Sequence, residues 1–135
     1  MIYLFDTNAM SALVHHRPGF ERIAARIDAL RPADRVVSMI TLSELHTMIA
    51  KAAAPQAKGA RVWRVLLNFR LEDFGEAAAF HAGQIRAHLE PRGIRIGPLD
   101  TLIAAHARSL GAVVVTDNVR EFSRVPDLAV ENWLR

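Results

Sequence analysis

The stretch that most constrains this chain is its opening, Met1-Ile2-Tyr3-Leu4-Phe5-Asp6-Thr7-Asn8. Residues 2–5 are an unbroken apolar run, too short for a helix and rich in strand formers. A strand that is apolar on both faces belongs in a sheet covered on both sides, as parallel α/β sheets are. Ligands of such sheets collect at the carboxyl ends of the strands. Asp6 stands at such an end, and the spacing of Met10, Leu13 and Val14 beyond it predicts a helix. Asp is also a favoured helix N-cap, so this position alone does not separate a structural duty from a chemical one.

The alternation continues. Phe20, Ile23, Ala24, Ile27 and Leu30 are spaced for one helical face, and Val36 to Met39 reads as a second buried strand. Thr41-x-x-Glu44 then has the form of a capping box opening a helix through Leu45, Met48 and Ile49. Lys51 to Gly59 reads as a basic loop, followed by a helix from about Ala60 to Asn68. A short strand is expected over Arg70–Phe74, and a long helix over Glu76–Glu90 with Ala77, Phe80, Ile85 and Leu89 as its inner stripe. After a loop through Gly97 and Pro98, Leu99–Arg108 forms a small-residue helix, with Gly111 as its left-handed cap. Ala112–Thr116 is the clearest strand; a helical turn at Val119–Phe122 and a last strand at Leu128–Glu131 follow. The pattern predicts one α/β domain over residues 1–135, with a mostly parallel twisted sheet of about four or five strands flanked by helices on both faces.

The composition narrows the chemistry. With no cysteine, disulfides and thiolate metal sites are excluded, so a bound metal must take oxygen or imidazole ligands. No apolar run approaches the length of a membrane span, and no leader is read, so a cytoplasmic location is expected. None of the six histidines is assigned to catalysis. His15 and His16 are adjacent and point apart, and His106, about two turns past Asp100, is read as a core or groove residue.

Four acids occupy equivalent places. Asp6 and Asp117 follow apolar strands, Glu44 lies near the start of the helix after the second strand, and Asp100 lies in the first turn of its helix. Carboxylates converging on one sheet edge raise one another's pKa unless a cation lies between them. A hard divalent ion with oxygen ligands, Mg²⁺ in particular, answers that need and serves phosphodiester chemistry. Thr7, Ser43 and Thr116, with the amides of Asn8 and Asn118, are placed to orient the acids. Setting the four acids aside leaves 17 basic residues against 10 acidic ones. Arg17, Lys51, Lys58, Arg61, Arg64, Arg92, Arg95 and Arg120 are candidate phosphate contacts around the acidic centre.

In order along the chain stand Asp6-Thr7-Asn8, Thr41-x-x-Glu44, Gly97-Pro98-x-Asp100-x-x-Ile103-Ala104 and Thr116-Asp117-Asn118-x-x-Glu121-Phe122. Together they resemble the four signature blocks of the PIN-domain ribonucleases, most closely the VapC-type toxins of toxin–antitoxin pairs. The resemblance spans Met1 to about Val130. It implies an endoribonuclease that uses Mg²⁺ or Mn²⁺ to cut structured RNA such as a tRNA or ribosomal RNA. It also implies a homodimer, able to assemble further with a cognate antitoxin whose tail crosses the acidic site. Asp6, Glu44 and Asp100 match the three principal catalytic and metal-binding acids, and Asp117 matches a fourth position that varies between Asp and Asn in such toxins. Two other readings are an RNA-processing nuclease of the same fold without an antitoxin, and a silent PIN-type binding module. The presence of all four acids favours catalysis.

Overall fold

The computed structural model describes residues 1–135 and contains five strands: β1 (Tyr3–Phe5), β2 (Arg35–Ser38), β3 (Arg70–Glu72), β4 (Val113–Val115) and β5 (Ala129–Glu131). They form one sheet in the order β3-β2-β1-β4-β5, and every neighbouring pair is parallel. The helices are α1 (Thr7–His15), α2 (Phe20–Asp28), α3 (Met39–Lys51), α4 (Pro55–Leu66), α5 (Glu76–Leu89), α6 (Pro98–Ser109) and the short α7 (Val119–Phe122).

Successive strand residues point to opposite faces, and the three central strands use both. Leu4, Val36 and Val114 join Ile85, Ile103 and Phe122 in one apolar cluster beneath α5, α6 and α7. Phe5, Val37 and Val115 join Met10, Ile23, Leu45, Val62 and Trp133 in a second, covered by α1 to α4. The opening strand is fully apolar because it lies in the middle of the sheet between these two cores.

Three expectations change. The Thr41–Glu44 capping box does not form. The polypeptide passes from β2 into α3 without a loop, and the hydroxyl of Ser38 accepts the N–H of Ile40 at 3.1 Å as the N-cap. That places Thr41 inside the helix, buried and with its hydroxyl unpartnered, and it leaves the Glu44 side chain free. Secondly, α4 begins at Pro55 rather than near Ala60, because proline suits a first helical position where no intrahelical N–H is needed. Most of the expected basic loop is therefore helix. Thirdly, the buried stripe of α5 is Ala78, Ala82, Ile85 and Leu89, while Ala77 is exposed and Phe80 is 63% exposed. Small alanines let α5 and α6 pack closely, and that contact sets the rotation of the helix more strongly than the single aromatic ring does. Gly111 takes φ 63°, the expected left-handed turn after α6.

Candidate active site

The site is built at the carboxyl edge of the three central strands. Phe5 pairs with Val115, so the next residues, Asp6 and Thr116, leave the sheet side by side. The main chain keeps the register: the N–H of Asp6 still donates to the carbonyl of Val115 at 3.1 Å. Asp6 is the N-cap of α1 and accepts the N–H of Ala9 through Oδ1 at 2.8 Å. Its Oδ2 accepts the Thr116 hydroxyl at 2.6 Å. The carboxyl group is only 1% exposed. Burial pushes it up to about 7; the two hydrogen bonds oppose that rise, and the negative charges of Asp100 and Asp117 add to it. The capping duty and the chemical duty expected of Asp6 therefore coexist in one side chain.

Glu44, released from a cap, accepts the Thr7 hydroxyl at 2.6 Å, which ties α3 to the first turn of α1. Asp100 lies in the first turn of α6, a helix capped by Gly97 and opened by Pro98. Its carboxyl rises to about 6, chiefly through burial and then through the charges of Glu121 and Glu44. Asp100 thus lies within reach of the charges of both Asp6 and Glu44 at the mouth of the fold.

A fifth acid belongs with them. Glu121, on α7, accepts the N–H of Gly97 at 2.6 Å through Oε1 and the side-chain amide of Asn118 at 2.8 Å through Oε2. A β-carbon on Gly97 would lie 3.5 Å from that Glu121 oxygen and 3.8 Å from Asp100, so α6 enters the site at close quarters. Glu121 was visible in the fourth sequence block, but nothing local in the sequence marks a glutamate on a one-turn helix as facing inward.

Asp117 behaves differently. It is exposed, one residue beyond the level of Asp6, and lines a surface groove with Gly19, Arg22 and Leu134. Among the expected orienting residues, Thr7, Thr116 and Asn118 hold Glu44, Asp6 and Glu121 respectively. Ser43 and Asn8 are exposed, and neither side chain bonds an acid. Ser43 offers only its carbonyl, to the Thr47 hydroxyl, because a residue in the helix interior next to Glu44 points away from it. His106 is 1% exposed, shares a 2.7 Å hydrogen bond with Ser38 and packs edge-on against Phe74, as a core histidine does.

The candidate phosphate contacts fall into two groups. Arg17, Lys51, Lys58, Arg61 and Arg64 lie around the far ends of α1 and α3 and along α4. Arg92 and Arg95 lie between α5 and α6, and Arg120 on α7; Arg92 donates to the His88 carbonyl at 2.7 Å.

No three acidic or imidazole side chains close around a point as a ready-made cage. All the converging donors are carboxylate or hydroxyl oxygens, and the Asp6 carboxyl, raised to about 7, is only about half ionised at neutral pH unless a positive charge stands beside it. Mg²⁺ keeps several waters and is held by one or two carboxylates, so these residues fit a hydrated hard cation better than a closed, protein-only site.

An all-parallel five-stranded sheet flanked by helices, with several acids at its carboxyl edge, defines the class as a single α/β domain. The PIN domain model matches residues 3–128. The chain is 39% identical over 131 residues to the tRNA(fMet)-specific endonuclease VapC of Salmonella typhimurium, covering 97% of each protein. Its fold superimposes on the DNA-bound VapBC of Salmonella typhimurium with a TM-score of 0.92, at 38% identity and 98% coverage of both chains. On VapBC2 of Rickettsia felis bound to a promoter DNA fragment the TM-score is 0.91, at 30% identity, covering 98% of this chain and 99% of that one. The chain belongs to the PIN-domain family, among the VapC ribonucleases.

Proposed function

We propose that this protein is an endoribonuclease dependent on Mg²⁺ or Mn²⁺ that cuts structured RNA, and that it serves as the toxin of a toxin–antitoxin pair. The observation that carries the reading is the Asp6 carboxyl, buried at the mouth of the sheet beside Asp100 and raised to about 7. So unfavourable a charge is stabilised when a cation is present. Asp6, Glu44, Asp100 and Asp117 are the side chains that would hold such an ion, with Glu121 as a further negative charge beside Asp100. A divalent ion bound there supplies an activated water and stabilises the charge that develops on a phosphodiester.

The protein's own part is to fix the acids. Thr116 and the Ala9 N–H hold the two oxygens of Asp6, Thr7 holds Glu44, and Asn118 with the Gly97 N–H holds Glu121. Each donor steadies the ionised carboxylate and fixes its orientation. A tRNA is the first substrate to try, given that the Salmonella relative is a tRNA(fMet)-specific endonuclease. A cognate antitoxin partner follows from the VapBC complexes that share this fold. A homodimer, further assembly with the antitoxin, and a cytoplasmic location complete the proposal.

The test is cleavage of a pool of tRNA and ribosomal RNA with Mg²⁺, with Mn²⁺ and with EDTA, beside Asp6→Asn and Asp100→Asn. Discrete fragments that vanish with EDTA and in both variants are expected. Fragments that survive in both variants would sink the assignment of the site, and a folded protein that cuts nothing would favour a silent binding module.

A further inference from the structure

The two helices that leave the acidic site both end in the same unpaired positive charge. Helix α1 runs from the Asp6 cap to His15, about 13 Å at the α-helical rise. Along α3, Lys51 lies two turns beyond Glu44 on the same face, about 10 Å away. Between residues 45 and 71 the sequence contains five cations and no acid. Lys51, Lys58 and Arg61 border a cleft of about 530 Å³ between the end of α3 and the start of α4, with alanines lining much of the rest.

What distinguishes these cations is the nature of their partners. The ion pairs of the molecule are Arg26–Glu131, Arg31–Asp34, Arg70–Glu72 and Arg86–Glu90, and none involves this cluster. Lys58 donates instead to the imidazole Nε2 of His15 at 2.6 Å, and Arg61 to the carbonyl of Val14 at 2.8 Å. An imidazole accepting at Nε2 is neutral, and burial together with the charges of Lys58 and Arg17 holds His15 below its ordinary pKa. Neutral acceptors orient the two side chains without cancelling their charge. Part of this arrangement caps the carboxyl end of α1, as cations there do. Capping explains neither Lys51, which forms no hydrogen bond, nor the lack of any acid nearby.

We infer that the cleft between α3 and α4, bordered by Lys51, Lys58 and Arg61, is a phosphate-backbone anchor for the RNA substrate, one helix length from the bond that is cut. This rests on the nuclease reading of the acidic site and extends it. A duplex carries about one phosphate per 1.7 Å of axis, so an RNA reaching from the acids to the cleft passes about six charges. A protein partner would need large apolar or aromatic anchors, whereas the lining here is four alanines and Met48 beside three cations with no acid among them.

The test is binding of total bacterial tRNA to the full chain in EDTA, with affinity followed against salt concentration. Lys51→Gln/Lys58→Gln is expected to weaken binding about tenfold and to flatten the salt slope by about 2, with Arg61→Gln adding a further step. Lys51→Arg/Lys58→Arg restores both quantities, which separates charge from capping, and a melting curve for each variant shows that the fold is intact. Arg86→Gln, an exposed ion-paired cation elsewhere, leaves affinity and slope as they were. Unchanged affinity and slope in Lys51→Gln/Lys58→Gln would overturn the inference. So would a variant that loses a 20-residue polyglutamate peptide but keeps tRNA, which would make the cleft a protein-docking surface. The same tRNA incubated with Mg²⁺ keeps the two ideas apart: cleavage with no change in slope leaves the nuclease and removes the anchor, while an altered slope without cleavage does the reverse.

Discussion

The ends of β1 and β4 look alike in the sequence and are opposites in the structure. Each is an apolar strand followed at once by a short polar run containing Asp, Thr and Asn. After β1 the first polar residue is the acid, Asp6, and it is buried, doubly hydrogen-bonded and raised to about 7. After β4 the first polar residue is Thr116, and the acid comes one position later, exposed to solvent. Because the strands pair in register, that offset of one residue exchanges roles: the hydroxyl of one strand becomes the support for the carboxylate of the other. Position relative to the sheet edge, rather than the kind of motif, decides which acid is costly to ionise and therefore worth neutralising with a cation.

The comparison breaks most sharply in catalysis. Asp6→Asn is expected to lower RNA cleavage about 10³-fold or more, and Asp117→Asn less than about tenfold, read as initial rates on the same RNA. Equal losses would erase the distinction drawn between the two strand ends.

Stability comes next. The folded protein binds a proton at Asp6 more tightly than the unfolded chain, whose Asp titrates near 3.8. The metal-free protein should therefore lose stability as the pH rises from about 4 through about 7, by on the order of 4 kcal/mol at most from this group. Asp100, raised to about 6, acts in the same direction. Chemical denaturation at pH 5.5 and 8 in EDTA checks this. Added Mg²⁺ should recover most of the loss at pH 8, and Asp6→Asn should flatten the pH dependence where Asp117→Asn does not. The gain in Asp6→Asn is limited, since its new amide faces a Thr116 oxygen that already accepts the Asn118 N–H at 2.9 Å.

A smaller effect tests the support itself. Thr116→Val removes the hydroxyl that steadies ionised Asp6, so the acid limb of the pH–rate profile moves up and the rate at pH 7 falls about tenfold, less at higher pH. A uniform loss at every pH would mean that Thr116 acts through packing alone. Smallest is Glu121→Gln, which removes a charge that raises Asp100. The acid limb then moves down by less than about one pH unit, and the rate at neutral pH changes about twofold to threefold.

Most of this architecture could be read from hydrophobic runs. The strands and their both-sided burial follow from continuous apolar residues, and so does the place of Asp6 at the carboxyl end of β1. What escaped depended on tertiary partners. Ser38 and Thr41 are both good caps, and only the direct passage from β2 into α3 selects Ser38. Phe80 yields the buried stripe of α5 to alanines because close approach to α6 favours small side chains. Glu121 became a site residue through bonds to Gly97 and Asn118, and the Gly97 contact spans 24 residues. The inward or outward aim of Ser43 and Asn8 is a matter of helix rotation that spacing alone leaves open.

The middle of the sheet is made first and completed late. Strand β1 waits for β2 and then for β4; Thr116 reaches Asp6 across 110 residues, and the Trp133 ring settles on Tyr3 and Phe5. On the ribosome, Asp6 therefore begins as an ordinary solvated aspartate, with neither the burial nor the hydroxyl that give it its chemistry. Chains interrupted just before β4 carry Asp6, Glu44 and Asp100 without their setting. The site of a protein proposed to cut RNA is thus assembled only once β4 and Thr116 have been made.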